Sequence, residues 1–286
     1  MRILVTGANG MLGNAIKRVF SNYNLLLTDK STLNITKRAH VLSFAKKKPD
    51  LILHLAALTD LKAAETNPKV AYLVNHAGTK NLTNLARELD IPIVYISTGM
   101  VFKGTQKSNS ETDSPKPTNH YGKSKYKGEK SVAKYKKHFI VRSGWAFGGG
   151  REIDKKFINK IFTQIAQGSK KLYGITDIYG NPTYTIDFAK TLKNLIDGNV
   201  EYGTYNSPGV GVASRYDVLH EFVNLLGLKN KIETVPVTVD EYHSLFPTPF
   251  PYIKREVLGH DKLAATGLSA MRPWQLALAE YAEEFK

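Results

Sequence analysis

Tyr121 and Lys125 stand four residues apart in His120-Tyr121-Gly122-Lys123-Ser124-Lys125, so a helix over this stretch puts both side chains on one face. An ammonium beside a phenol stabilises the phenolate and lowers the Tyr pKa toward neutrality. The phenol can then protonate a carbonyl oxygen while hydride arrives at its carbon. In a chain with 15 tyrosines and 40 Lys and Arg such a spacing also arises by chance, so it takes its meaning from its neighbours. One neighbour is Ser97-Thr98, the end of the apolar run Ile93–Ser97, where a hydroxyl can hold a substrate oxygen opposite Tyr121. Taken alone, Ser-Thr-Gly is equally an ordinary turn after a strand.

The other neighbour is Thr6-Gly7-Ala8-Asn9-Gly10-Met11-Leu12-Gly13, which follows an apolar run and leads into a helix. Gly7 permits a tight turn, Gly10 lets the backbone approach a pyrophosphate, and Gly13 lets the helix pack closely on the sheet. The helix N-terminus then offers free N–H groups and the positive end of its dipole. A lone glycine pattern is weak, but a strand before it and a helix after it make dinucleotide binding the expected use. Asp29, 19 residues after Gly10, ends the second apolar run, where a carboxylate accepts hydrogen bonds from an adenosine ribose. That favours NADH, whereas Lys30 beside it, with Arg18 in the preceding helix, would meet the 2′-phosphate of NADPH. Asp29 as a turn cap is the plain structural alternative.

The elements that must position these residues are readable as alternating runs. Ile3–Thr6, Leu25–Thr28, Leu51–Leu55, Ile93–Ser97 and Phe139–Arg142 are near-continuous apolar stretches, as buried parallel strands are. Helical stretches over Met11–Phe20, Lys37–Lys47, Lys69–Glu88 and Lys123–Lys136 separate them. This alternation predicts α/β architecture, a Rossmann-like doubly wound parallel sheet. The second half has helices over Asp154–Gln167, Ile186–Leu195, Tyr216–Leu226 and Trp274–Glu284, a turn at Tyr179-Gly180-Asn181-Pro182 and a proline-rich loop at Phe246–Pro251. The expected division is an NAD(P)-binding domain over 1–150 and a smaller mixed substrate-binding domain over 151–286, interleaved with the sheet.

Composition narrows the function. The 286 residues carry a net charge of +15, and all of that surplus lies in residues 1–150, which hold 24 basic and 9 acidic side chains. Scattered lysines of this kind usually meet solvent, and nucleic-acid binding is not expected. With no cysteine, and eight scattered histidines that form no close pair, no metal site is expected. The absence of a long apolar run argues against membrane insertion and for a cytoplasmic protein.

The TGxxGxxG loop, the Ser/Thr after the fourth strand and the YxxxK helix together resemble the extended short-chain dehydrogenase/reductase superfamily. Further segments are similar to its dTDP-4-dehydrorhamnose reductase branch: Pro49-Asp50, Ala56-Ala57-Leu58-Thr59, Asn75 with Gly78-Thr79-Lys80-Asn81-Leu82, Val101-Phe102, Gly128-Glu129, Arg142-Ser143-Gly144-Trp145, Gly180-Asn181-Pro182-Thr183-Tyr184, Asp187-Phe188-Ala189, Phe246-Pro247-Thr248-Pro249 and Pro273-Trp274. The resemblance implies Tyr121 as proton donor, Lys125 as its ribose-bound activator and Thr98 as the hydroxyl that orients the carbonyl. It places Gly7, Gly10, Met11, Leu12, Gly13, Asp29, Lys30, Leu55, Ala56, Ala57, Thr59 and Ser97 along NADPH or NADH, with Tyr121 and Lys125. Leu61, Thr98, Met100 and Trp145 would face a nucleotide-sugar substrate. The implied activity is reduction of a 4-keto-6-deoxy sugar nucleotide in surface polysaccharide and O-antigen biosynthesis, with self-association into a homodimer left open.

Three departures lie where that branch handles substrate. The usual Ser-Thr-Asp-Tyr-Val-Phe is Ser97-Thr98-Gly99-Met100-Val101-Phe102, the usual Val-Asp-Lys-Ala-Glu is Leu61-Lys62-Ala63-Ala64-Glu65, and the usual Arg-Pro-x-Asn-Ser is Ile253-Lys254-Arg255-Glu256-Val257. Gly99 and Met100 also stand where related dehydratases carry an acidic pair, which disfavours dehydration. A nucleotide-sugar 4-epimerase uses the same Thr, Tyr and Lys. A non-catalytic subunit like the methionine adenosyltransferase beta subunit, to which the chain is also similar, would retain the fold and cofactor.

Overall fold

The structure is a computed structural model that describes residues 1–247 and 252–286. Four residues of the expected proline-rich loop, Thr248 to Pro251, therefore lie outside the described residues.

The first half builds β1 (Arg2–Thr6), α1 (Met11–Val19), β2 (Asn24–Thr28), α2 (Arg38–Ser43), β3 (Leu51–His54), α3 (Leu61–Thr66), α4 (Pro68–Tyr72), α5 (Thr79–Glu88), β4 (Ile93–Thr98), α6 (His120–Val132) and β5 (His138–Ser143). All five strands lie in one parallel sheet, and Gly203–Asn206 from the second half joins as the sixth. The order is Gly203–Asn206, β5, β4, β3, β1, β2, so the chain leaves β1 to one side and returns on the other at β3. In such sheets the crevice beyond the carboxyl ends at this reversal is where ligands bind.

Successive strand residues point to opposite faces, and each face has its own core. Ile3, Val5, Leu53, Val94 and Val141 pack with Ile16 of α1 and with Phe188, Leu192, Phe222 and Leu278 of second-half helices. Leu4, Ile52, Ile93, Tyr95 and Ile140 pack with Val41, Leu82, Leu85 and Val132 from α2, α5 and α6. The near-continuous apolar runs arise because both faces are covered.

Two expectations are corrected. The stretch Lys69–Glu88 is not one helix: a π-helical turn over Leu73–Gly78 separates α4 from α5. Asn75 in this turn is buried; its side chain accepts from Leu58 N (2.8 Å) and donates to Leu58 O (3.1 Å), a demand that sequence periodicity does not register. Tyr179-Gly180-Asn181-Pro182 is not simply a turn, because Tyr179–Gly180 and Pro182–Tyr184 are short strands. Pro182–Tyr184 pairs with Trp145–Phe147, and Tyr179–Gly180 lies between Ala213–Ser214 and Arg255–Glu256. These small sheets bring second-half residues over the carboxyl edge of the main sheet.

Candidate active site

The loop after β1 fits the close approach expected of it. Gly7 has φ +72, and a Cβ there would lie 2.8 Å from the Ala56 backbone. A Cβ on Gly13 would lie 2.5 Å from Ala8 O, so α1 presses directly on the loop. No side chain caps α1 and its first turn holds no acidic residue, which leaves its N-terminal N–H groups pointing out beyond Gly10. Ala56 N donates to Thr6 Oγ1 at 3.2 Å, so the loops after β1 and β3 are tied across the reversal point. Gly148, Gly149 and Gly150, all with positive φ, form a turn that packs on the start of α1; Asn14 Nδ2 donates to Gly149 O at 2.5 Å. No motif had assigned that turn a role.

Asp29 is held locally. Asn9 Nδ2 donates to its Oδ2 (2.6 Å), while Ser31 Oγ (2.6 Å), Ser31 N (2.9 Å) and Thr32 N (3.0 Å) donate to Oδ1. The bonds from Ser31 and Thr32 pull its pKa down to about 2. The turn-cap role is thus realised, and it also ties the turn after β2 to the glycine loop. Lys30 is exposed beside it. Arg18 sits in the last turn of α1, where it faces Glu284 at 3.7 Å, so it is at the wrong end of the helix for a ribose phosphate.

Asn119 caps α6 by accepting from Gly122 N at 2.7 Å, and Glu65 of α3 accepts from His120 N at 2.6 Å. Tyr121 is thereby fixed at the helix start, as expected, and Leu61 opens the neighbouring helix α3. Thr98 ends β4, stands beside the Tyr121 hydroxyl and accepts from Met100 N at 3.2 Å. Lys125, 3% exposed, lies on the same face of α6, donates to Ile96 O at 2.6 Å and stands 4.1 Å over the Tyr95 ring.

The electrostatics differ from expectation. Burial and the Glu256 carboxylate push the Tyr121 phenol up, and Thr98 beside it acts only partly against this. The phenol is therefore raised, not lowered. Lys125 is brought down to about 7 by burial, with Glu129 opposing. Its ammonium is directed to Ile96 O instead of the phenol oxygen. Glu129 itself is engaged by Arg142, at 2.9 Å through both Nε and Nη2.

Trp145 is buried, with its indole N–H donating to Glu256 Oε2 at 2.9 Å and the Arg215 guanidinium 3.6 Å from its ring. Glu256, Arg215 and Lys156 were not anticipated. Lys156 Nζ donates to the carbonyl and the hydroxyl of Thr59, both at 3.2 Å. Nothing in their sequence spacing links these residues to the first half. The one signal was the position of Glu256 within Ile253-Lys254-Arg255-Glu256-Val257, a segment that departs from the branch's pattern.

The residues fit a dinucleotide. Besides the uncapped helix end and the glycine cradle, Ser97 Oγ is buried at the carboxyl edge without a hydrogen-bond partner. Among the described residues no cluster of His, Cys, Asp or Glu could hold a metal ion, and no helix is long and apolar enough to cross a membrane.

Sheet, loop and Thr-Tyr-Lys cluster define a dinucleotide-binding α/β protein of the dehydrogenase/reductase kind. Residues 1–286 match the family model described as RmlD substrate binding domain, and the chain belongs to that family. A dTDP-4-dehydrorhamnose reductase of Mycolicibacterium smegmatis is 31% identical over 284 residues, 98% of this chain and 84% of the relative. The crystal structure of a dTDP-4-dehydrorhamnose reductase from Clostridium acetobutylicum superposes with a TM-score of 0.91 at 34% identity, covering 99% of each chain. That of the Bacillus anthracis enzyme, solved in complex with NADP, gives 0.90 at 29% identity over 99% of each chain.

Proposed function

We propose that this protein reduces the 4-keto group of a nucleotide-linked 6-deoxy sugar with NADPH or NADH, in the biosynthesis of a surface polysaccharide such as an O-antigen. The observation that carries the reading is Tyr121 beside Thr98 at the carboxyl edge of the sheet, near the reversal point where the glycine loop meets Ala56. The names and cofactor of the relatives support it.

Gly7, Gly10, Met11, Leu12 and Gly13 would hold the cofactor's pyrophosphate, Asp29 and Lys30 its adenosine ribose end, and Leu55, Ala56, Ala57, Thr59 and Ser97 its course across the edge. The reduced nicotinamide supplies hydride to the keto carbon. Thr98 orients the carbonyl, and Tyr121 gives its phenolic proton to the oxygen as negative charge develops there. A raised phenol pKa keeps that proton in place at neutral pH. Lys125 would hold the nicotinamide ribose and, in its charged form, favour the phenolate left behind. Leu61, Met100 and Trp145 would face the sugar.

The test is absorbance loss when NADPH, or NADH, is mixed with a dTDP-4-keto-6-deoxyhexose. Tyr121→Phe is expected to lower turnover at least a thousandfold while cofactor affinity stays within about threefold, since only the transferred proton is removed. Absence of consumption with any keto-sugar nucleotide would sink the reductase reading. Interconversion of 4-hydroxyl epimers without net consumption would mark an epimerase instead.

A further inference from the structure

Glu256 is a carboxylate where an apolar or amide neighbour would be cheaper to bury. It is 4% exposed, in the short strand Arg255–Glu256, with its register set opposite Gly180. The Trp145 ring packs over Gly180, which brings the indole N–H to Glu256. Gly99 clears the other side: a Cβ there would lie 2.8 Å from Glu256 Cγ. Glu256 Oε1 then accepts from Thr98 Oγ1 at 3.1 Å. The groups facing it are Thr98 and Met100 N–H after β4, Trp145, Tyr121 from α6 and Arg215 from the helix Arg215–Leu225.

A threonine hydroxyl has one proton. While Glu256 is ionised it takes that proton, so Thr98 has none to give to Tyr121 or to a substrate oxygen. The carboxylate charge also opposes negative charge on either atom. When Glu256 is protonated the direction reverses: the carboxyl becomes the donor, and the Thr98 proton turns toward Tyr121, so that Thr98 then orients the carbonyl through the phenol. We propose that Glu256 is the proton source behind Tyr121, acting through Thr98, and that the protein turns over in the form with Glu256 protonated. The keto carbon gains hydride and the nicotinamide is oxidised. The carbonyl oxygen takes the Tyr121 proton, Tyr121 takes the Thr98 proton, and Thr98 takes the proton whose O–H bond at Glu256 breaks. Solvent reprotonates Glu256 as the product leaves. Burial raises Glu256 to about 7 despite Arg215, so both forms are accessible near neutrality.

This inference rests on Tyr121 as proton donor, and Glu256 is a positioning residue within it. Its test compares wild type, Glu256→Gln, Thr98→Ala, the double variant and Tyr121→Phe in kcat and KM from pH 5 to 9. With these runs a carbon-13 carboxyl titration of wild type, in which Glu256→Gln identifies the resonance. Expected are a titration midpoint near 7, and a kcat for Glu256→Gln lowered at least tenfold at pH 6 with KM within threefold. The wild-type alkaline limb should be steeper than that of Glu256→Gln by tenfold per pH unit, the remaining limb belonging to Lys125. In the Thr98→Ala background Glu256→Gln should change nothing further. A Glu256 that stays ionised from pH 5 to 9, or a Glu256→Gln as fast as wild type or faster, overturns the relay alone. Turnover retained by Tyr121→Phe overturns the Tyr121 assignment and the relay with it.

Discussion

His54 is completely buried, its ring fixed between Thr6 Oγ1 at 2.8 Å and Thr79 Oγ1 at 2.9 Å. Thr79 donates to Asn75 O at 2.8 Å, so it accepts from Nε2–H, and Nδ1 is left to accept from Thr6; the ring is neutral. Burial, with Lys125 nearby, holds its pKa down at about 3 against 6.5 in the unfolded chain. Between those values the unfolded chain binds the extra proton. Stability present above pH 6.5 is therefore lost as pH falls, by about 1.4 kcal/mol per pH unit. Urea unfolding at pH 6.5 and 5.0 should show a larger loss of stability in wild type than in His54→Gln, by about 1–2 kcal/mol over that interval. Equal losses would mean that His54 is protonated in the fold.

At the scale of elements, the site depends on how closely loops and helices approach. Asn75, exposed by no periodic signal, links the loop after β3 to α6 by donating to Ser124 Oγ at 2.9 Å, and Ser124 Oγ donates to Tyr121 O at 2.7 Å. The π-helical turn is what lets one side chain serve both. Gly13 is the tighter case, because its missing Cβ faces backbone that cannot give way. Gly13→Ala should cost about 1–3 kcal/mol, the usual penalty of overpacking, and lower the melting temperature. NADPH affinity, followed by nucleotide fluorescence, should fall at least tenfold. A variant that melts and binds as wild type would show that α1 does not bear on the loop.

At the scale of the whole molecule, the two halves of the chain are not separable by their cores. Gly203–Asn206 extends the sheet beyond β5, and Phe188 and Leu192 cover the face formed by Val94, Phe139, Val141 and Tyr205. We propose that residues 1–150 contain the cofactor-binding elements yet do not make a folding unit. The isolated fragment should show no cooperative thermal transition by circular dichroism; a sharp one would contradict this. The basic surplus of that half is mostly outward. Lys123, Lys127, Lys130 and Lys134 are exposed, while Lys137 pairs with Asp90 at 2.8 Å.

The sequence by itself determined five strands of the sheet, because strands covered on both faces must be apolar throughout; Ile3–Thr6 and Ile93–Ser97 fall within one residue of the strand ends found, while the sixth strand, Gly203–Asn206, carries no such run. It also determined the glycine loop and the shared face of Tyr121 and Lys125, since both follow from local geometry alone. Only the tertiary structure decided the electrostatics around Tyr121. Glu256 lies 158 residues from Thr98 in the chain and reaches it through a two-residue strand beside Gly180. Pairing of so short a strand leaves no periodic trace, and how far burial and a neighbouring charge shift a phenol depends on distances that exist only once the chain has folded.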